Sequence, residues 1–444
     1  MTPAGNDPVS PERDVVSAAE ASRLLGVKPA TLYAYVSRGL LRSRDSPSSR
    51  LKRYARADVL RLKARADARR GHDAAAKDAL DWGAPVIESA ITGITPEGPR
   101  YRGLPPSHFW APYVDDIGDP FGYLAHWLVR GTHVTPLPDR PEDRPYGNYG
   151  DVHPDDDAAW LGPEVRVVAR CVRRLAWARA PTSLMACLDL VLTAWRLAGP
   201  PGVLDEKAEW HKGRALLGHL CAAGWLLRDP QRFPRDDDGL PGKALHGALG
   251  LSDEAEPLLW RMLIVIADHE LNASTFAARV ASSTSASLAS CLSAALAVVS
   301  GPRHGAACDR IEALLDEVER ADARTVIAGR LKRGEPLPGF GHRLYVDGDP
   351  RAQWLLSFPG VKESPATASA FALIDAWRTL GGDNALTAPS VDLALVACCR
   401  ALGLPAGTAT ALFATGRSAG WIAHVAEQRL SPSQLRPRAR YTGP

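Results

Sequence analysis

A mainly α fold is predicted for this 444-residue chain by three observations. Apolar residues recur at i, i+3 and i+4 through 165–178, 184–197, 206–224 and 256–266, the signature of one buried helix face. Alternating strand patterns are nearly absent. The length exceeds what one compact core usually holds, so two or three domains are expected. More than a dozen helices and no internal repeat follow from this reading.

Taken in chain order, the first element is a small basic module. Residues 1–70 hold 15 Lys/Arg and 7 Asp/Glu, a balance of +8, so the remaining chain carries −5 of the +3 total. A basic module on a mildly acidic body suggests two functions. Ser17-Ala18-Ala19-Glu20 has capping-box spacing, and Gly26 can end the helix that follows. A second helix starts with Pro29 in its first turn and runs to Gly39. A basic hairpin is expected over 41–54, turning at Asp45-Ser46-Pro47-Ser48-Ser49, and a third helix carries Asp58, Val59 and Leu62. This arrangement resembles the winged helix-turn-helix of the MerR and excisionase families. The resemblance implies a recognition helix bearing Thr31, Tyr33 and Tyr35, and phosphate contacts from Arg42, Arg44, Arg50, Lys52 and Arg53. The alternative is a module kept for oligomer or protein contacts.

After an Ala/Arg/Asp-rich stretch, a short β-like entry is expected over 85–103. A helix is expected around 120–129, inside a Pro/Gly/aromatic-rich segment. The rest reads as helical. The most apolar stretch, 281–299, carries Ser282, Ser283, Thr284, Ser285, Ser287, Ser290 and Ser293, too many hydroxyls for an easy membrane span. One buried helix of small residues, packed closely at a dimer interface, is the better reading. The N-terminus lacks a signal-peptide pattern, so a cytoplasmic location is expected. The seven cysteines are scattered without zinc spacing and are read as reduced, structural thiols.

Four blocks carry chemistry. Asp268-His269-Glu270-Leu271-Asn272 follows an apolar run, and its histidine is either a capped structural residue or one facing a polar cavity. Gly301-Pro302-Arg303-His304-Gly305 precedes a helix. The positive end of that dipole should lower the His304 pKa and favour neutral imidazole, while Gly305 allows close approach to a ligand. Pro338-Gly339-Phe340-Gly341-His342-Arg343 leads to Asp349-Pro350-Arg351. Pro389-Ser390-Val391-Asp392 opens another helix, and Phe413 and Arg417 lie a turn apart further on. Histidines, arginines and one carboxylate together suit a substrate with several carboxylates.

In order and spacing these blocks resemble the citrate synthase family over residues 82–444. The resemblance implies condensation of acetyl-CoA with oxaloacetate, followed by thioester hydrolysis. His304 would then stabilise the enol, Asp392 would act as general base and His342 would protonate the new hydroxyl. His269, Asn272, Arg351 and Arg417 would hold oxaloacetate, with Arg436 reaching a neighbouring subunit's site and Phe413 packing beside the acetyl group. It also implies a homodimer or higher homo-oligomer and no metal or other cofactor beyond the acyl-CoA substrate. The expected organisation is a winged helix-turn-helix with linker at 1–75, a large helical domain at 76–303 and 399–444, and a small helical domain at 304–398. A 2-methylcitrate synthase using propionyl-CoA, or a DNA-binding regulator sensing a dicarboxylate or acyl-CoA, are the alternatives. The departures cluster on the acyl-CoA side. GPLHGGANE becomes Gly301-Pro302-Arg303-His304-Gly305-Ala306-Ala307-Cys308-Asp309, and the expected lysine after Tyr345 is Val346. Arg303 either meets a CoA phosphate or faces solvent.

Overall fold

The structure, a computed structural model, describes residues 15–25, 27, 31–32, 35–36, 41, 43–46, 49–55, 59, 87–110, 119–130, 163–178, 180–198, 206–233, 240–345, 347–381, 387–437 and 443. By internal contacts the chain forms two compact units, Met1–Glu88 with Arg436–Pro444, and Ser89–Leu435.

In the first unit, β1 (Val15–Ser17), β2 (Ser43–Ser46) and β3 (Ser49–Ala55) make an antiparallel sheet in the order β1-β3-β2. The sequence led us to expect only the β2–β3 hairpin. β1 is three residues long, too short to leave a periodic signal. Helix α1 (Ala18–Leu25) starts as its capping spacing predicts, with the Glu20 amide donating to Ser17 Oγ at 3.2 Å. Val16, Ala21, Leu25, Leu32, Leu41, Tyr54 and Val59 form its core. Thr31 and Tyr35 are half-buried, and Lys52 and Arg53 are exposed. Tyr33, Arg42 and the side chains of Arg44 and Arg50 lie outside the described residues.

Where a β-like entry is expected, the second unit opens with a hairpin, β4 (Thr92–Thr95) and β5 (Gly98–Tyr101), paired Thr92 to Tyr101. Tyr101 Oη donates to the Ile264 carbonyl at 2.6 Å, tying the hairpin to the helices. There follow α2 (Pro120–Arg130), α3 (Pro163–Ala178), α4 (Leu184–Ala198), α5 (Glu206–Ala222), α6 (Pro241–Leu249), α7 (Glu256–Ile266), α8 (Ala273–Ser283), α9 (Leu288–Val299), α10 (Ala307–Arg320), α11 (Ala323–Lys332), α12 (Pro350–Leu356), α13 (Ala368–Gly381), α14 (Val391–Ala401) and α15 (Thr408–Arg429), with shorter helical turns between some of them. No helix among the described residues is long and apolar enough to cross a membrane.

The 281–299 stretch is two helices, not one. Ser285 adopts a left-handed φ of 61°, and Ser287 caps α9 by accepting from the Ser290 amide. The hydroxyls that argued against a membrane span are what turn the chain here. The two helices pack on each other and on α15, and α9 also meets α4, so much of their small-residue surface is used within this chain. α15 is buried from Thr408 to Val425, as a helix at the centre of a bundle must be. Gly420 is the closest approach: a Cβ there would lie 2.4 Å from Asp268 Oδ1 and 2.5 Å from the Ala267 carbonyl. That fit holds the end of α7, and hence His269, against α15.

Candidate active site

Two turns are fastened together first. Phe340 bridges Pro389, the Gly341 amide donates to the Ala388 carbonyl at 2.9 Å, and the Ser390 amide donates to the Gly339 carbonyl at 2.8 Å. The His342 turn is therefore locked beside the start of α14, which carries Asp392. Asp349 adds a second tie. It accepts from Arg351 Nε at 2.9 Å and Nη2 at 2.8 Å, and from the Val391 amide at 3.0 Å. One buried carboxylate thus orients the guanidinium and anchors the helix of Asp392.

Around Tyr345 the rings converge. His269 Nε2 lies 2.8 Å from Tyr345 Oη. The His342 ring is 4.8 Å from the Tyr345 ring and 5.3 Å from that of His269, and the Arg351 guanidinium sits 5.4 Å over Tyr345. From α15, Arg417 donates through Nε to the Ile266 carbonyl at 2.6 Å and lies 4.8 Å over Phe413. The rings of His304 and Phe413 meet edge to face, with centres 5.7 Å apart. Asp268, behind Arg417, accepts from His424 at 3.2 Å.

The electrostatics follow from this crowding. Burial, then Arg351, Arg417 and His342, push His269 well below its ordinary value. Burial and Arg417 lower His304 to about 4, and burial and Arg351 do the same for His342. All three imidazoles are neutral near pH 7. The expected direction for His304 holds, but its first cause is burial; the histidine sits in the turn before α10 rather than on its first residue. Burial lowers Arg417 to about 10 despite Asp268. Burial raises Asp392 against the pull of Arg351.

Several expected residues have different neighbours from those anticipated. Asn272 spends its carboxamide oxygen on the N-terminus of α8, accepting from the amides of Ser274 and Thr275 and from Ser274 Oγ. Its spacing before an apolar helix is that of a cap. Gly305 permits close approach to Val299, since a Cβ there would lie 2.6 Å from Val299 Cγ1. Arg303 is exposed. Cys308 is fully buried, with Sγ 3.9 Å from Asp392 Oδ1, so this departure touches the candidate base. All seven cysteines are free. Arg436 is exposed and belongs to the other compact unit, and Val346 lies outside the described residues.

Sequence reasoning missed Tyr345, Asp349 and Ser274 as parts of the site. Asp349 had a signal, because Asp before Pro at a helix start is an N-cap pattern. Ser274 had none: its hydroxyl reaches His304 Nε2, 30 positions away, at 2.9 Å.

The chain is similar to known proteins over most of its length. Residues 16–68 match the description "MerR HTH family regulatory protein", and residues 80–438 match "Citrate synthase, C-terminal domain". A Mycobacterium tuberculosis protein provisionally assigned as citrate synthase 2 is 43% identical over 276 residues, 59% of this chain and 73% of that protein. Citrate synthase 2 of Bacillus subtilis is 35% identical over 291 residues, 62% of this chain and 73% of its own. The crystal structure of Thermotoga maritima citrate synthase superposes with a TM-score of 0.61 at 26% identity, covering 82% of this chain and 94% of that one. With a match that spans most of its length, the chain belongs to the citrate synthase family.

Proposed function

We propose that the chain condenses acetyl-CoA with oxaloacetate to give citrate and free CoA. What most supports this reading is the gathering of three neutral histidines, two arginines and a carboxylate of raised pKa in one cluster, in which His269, Arg351 and Arg417 are buried and the others half-buried. Asp392 takes a proton from the acetyl methyl group. His304 donates to the thioester oxygen and stabilises the enol. The enol carbon bonds to the oxaloacetate ketone carbon, and His342 gives its proton to the oxygen that becomes the hydroxyl. Water then cleaves the thioester, releasing citrate and the CoA thiol. Arg351, Arg417 and His269 hold the oxaloacetate carboxylates, and residues 304–398 close over them as a small domain. Phe413 packs beside the acetyl group, and Arg436 completes the site of a second copy in a homodimer.

The test is thiol release. Protein with oxaloacetate and acetyl-CoA should liberate free CoA, read with a chromogenic disulfide. No release with either acetyl-CoA or propionyl-CoA, while oxaloacetate binds, rules out the enzymatic reading. Faster release with propionyl-CoA would make the protein a 2-methylcitrate synthase, the name borne by a Shewanella oneidensis relative 34% identical over 212 residues.

A second reading, as a DNA-binding regulator, has the match of residues 16–68 in its favour. Full-length protein should retard DNA from upstream of its own gene at physiological salt, and protein lacking residues 1–75 should not. Retardation that disappears as salt rises to that level, or that ignores DNA sequence, reduces the module to nonspecific phosphate contact.

A further inference from the structure

We propose that Tyr345 is itself a ligand for the substrate dicarboxylate, a role that rests on the functional reading above. Tyr345 is 1% exposed, with its hydroxyl against His269 and its ring beneath Arg351. His269 Nε2 is 2.8 Å away, Arg351 lies over the ring, and His342 stacks on it at 4.8 Å and 37°. Burial raises the phenol to about 12, with the nearby arginines opposing, so it stays protonated. A protonated phenol has one hydrogen bond to give and can accept others. Neutral His269 carries one ring proton. When Nε2 holds it, His269 donates to Tyr345 Oη, and the phenol proton is free for a carboxylate oxygen. His269 then reaches the substrate through Tyr345, and the two act as a relay between the flanking guanidinium groups of Arg351 and Arg417. The phenol adds a directional donor where the arginines supply mainly charge, and a hydrogen bond to a charged oxygen is among the stronger kinds.

The experiment is calorimetric titration of oxaloacetate into full-length wild-type and Tyr345→Phe protein, with thermal melting of both. Loss of one hydrogen bond to a carboxylate predicts a Kd raised about tenfold or more. The KM for oxaloacetate should rise in step, more than kcat falls, while the KM for acetyl-CoA moves less than about threefold. Unchanged or tighter oxaloacetate binding overturns the assignment. So does an equal loss for both substrates together with a lowered melting temperature, which marks a packing role. If Tyr345→Phe does not fold, Tyr345→His keeps a ring and a donor. Folded Tyr345→His should retain measurable binding, and its complete loss counts against the relay. Wild-type protein that binds no oxaloacetate fails the functional reading as a whole, whereas binding that ignores the phenol fails only the role of Tyr345.

Discussion

Asp392→Asn is expected to lower kcat by roughly a thousandfold, the scale of a positioned proton-transfer group, while oxaloacetate binds within about threefold of wild type. Asparagine matches aspartate in shape, so the start of α14 and its tie to Asp349 should survive. What disappears is the ability to accept a proton. The acid limb of kcat/KM should report the same residue. Activity needs the Asp392 carboxylate unprotonated, and burial raises its pKa, so activity should fall with decreasing pH before an ordinary aspartate would titrate. His304 and His342, lowered by burial to about 4, are neutral over the range where the enzyme would be assayed. An acid limb at ordinary histidine values that persists in Asp392→Asn would assign the limb elsewhere. Turnover retained in that variant would remove Asp392 from the base role.

The contact between Cys308 and Asp392 bears on this prediction. Placed against the carboxylate at 3.9 Å, a thiol is a weaker donor than the asparagine that the family pattern carries there. A weaker donor stabilises the anion less, in keeping with the upward direction of the Asp392 pKa. The departure that sequence reading placed on the acyl-CoA side therefore lies against the proposed base.

Helices such as α3, α4 and α7 were legible because their apolar period is long and unbroken. The Asp268-His269, His304, His342 and Asp392 blocks were legible because each pairs a titratable residue with local turn chemistry. The break between α8 and α9 was not, since serines serve equally as buried small residues and as caps until the backbone at Ser285 is known. Contacts across the chain were hidden as well. Nothing local to Ser274 points to His304, and nothing local to Tyr345 points to His269. Asn272 carries two signals: the family resemblance places it near the substrate carboxylates, and its spacing is also that of a helix cap, the role its carboxamide oxygen takes.

His304→Ala should cost kcat roughly a hundredfold to a thousandfold, as removal of a single oxyanion donor does in other acyl-transfer sites, with the Kd for oxaloacetate little changed. The hydrogen bonds around Ser274 give the reason. Trp421 Nε1 donates to Ser274 Oγ at 3.3 Å, and that hydroxyl lies 2.9 Å from His304 Nε2. Asn272 Oδ1 accepts from the same hydroxyl at 2.7 Å and from two backbone amides. The one serine proton is thus spent on Asn272, Trp421 fills one lone pair, and the other lone pair accepts the Nε2–H of His304. The single proton of the neutral imidazole then resides on Nε2, and the thioester oxygen is expected to take that donor in place of Ser274. The depressed pKa keeps the ring neutral, with this one proton to give. The loss in His304→Ala should appear in kcat and in the solvent exchange of acetyl-CoA methyl protons, since both need the enol. Exchange at the wild-type rate would show that enolisation does not use His304, and its place in the mechanism would then be confined to packing against Phe413.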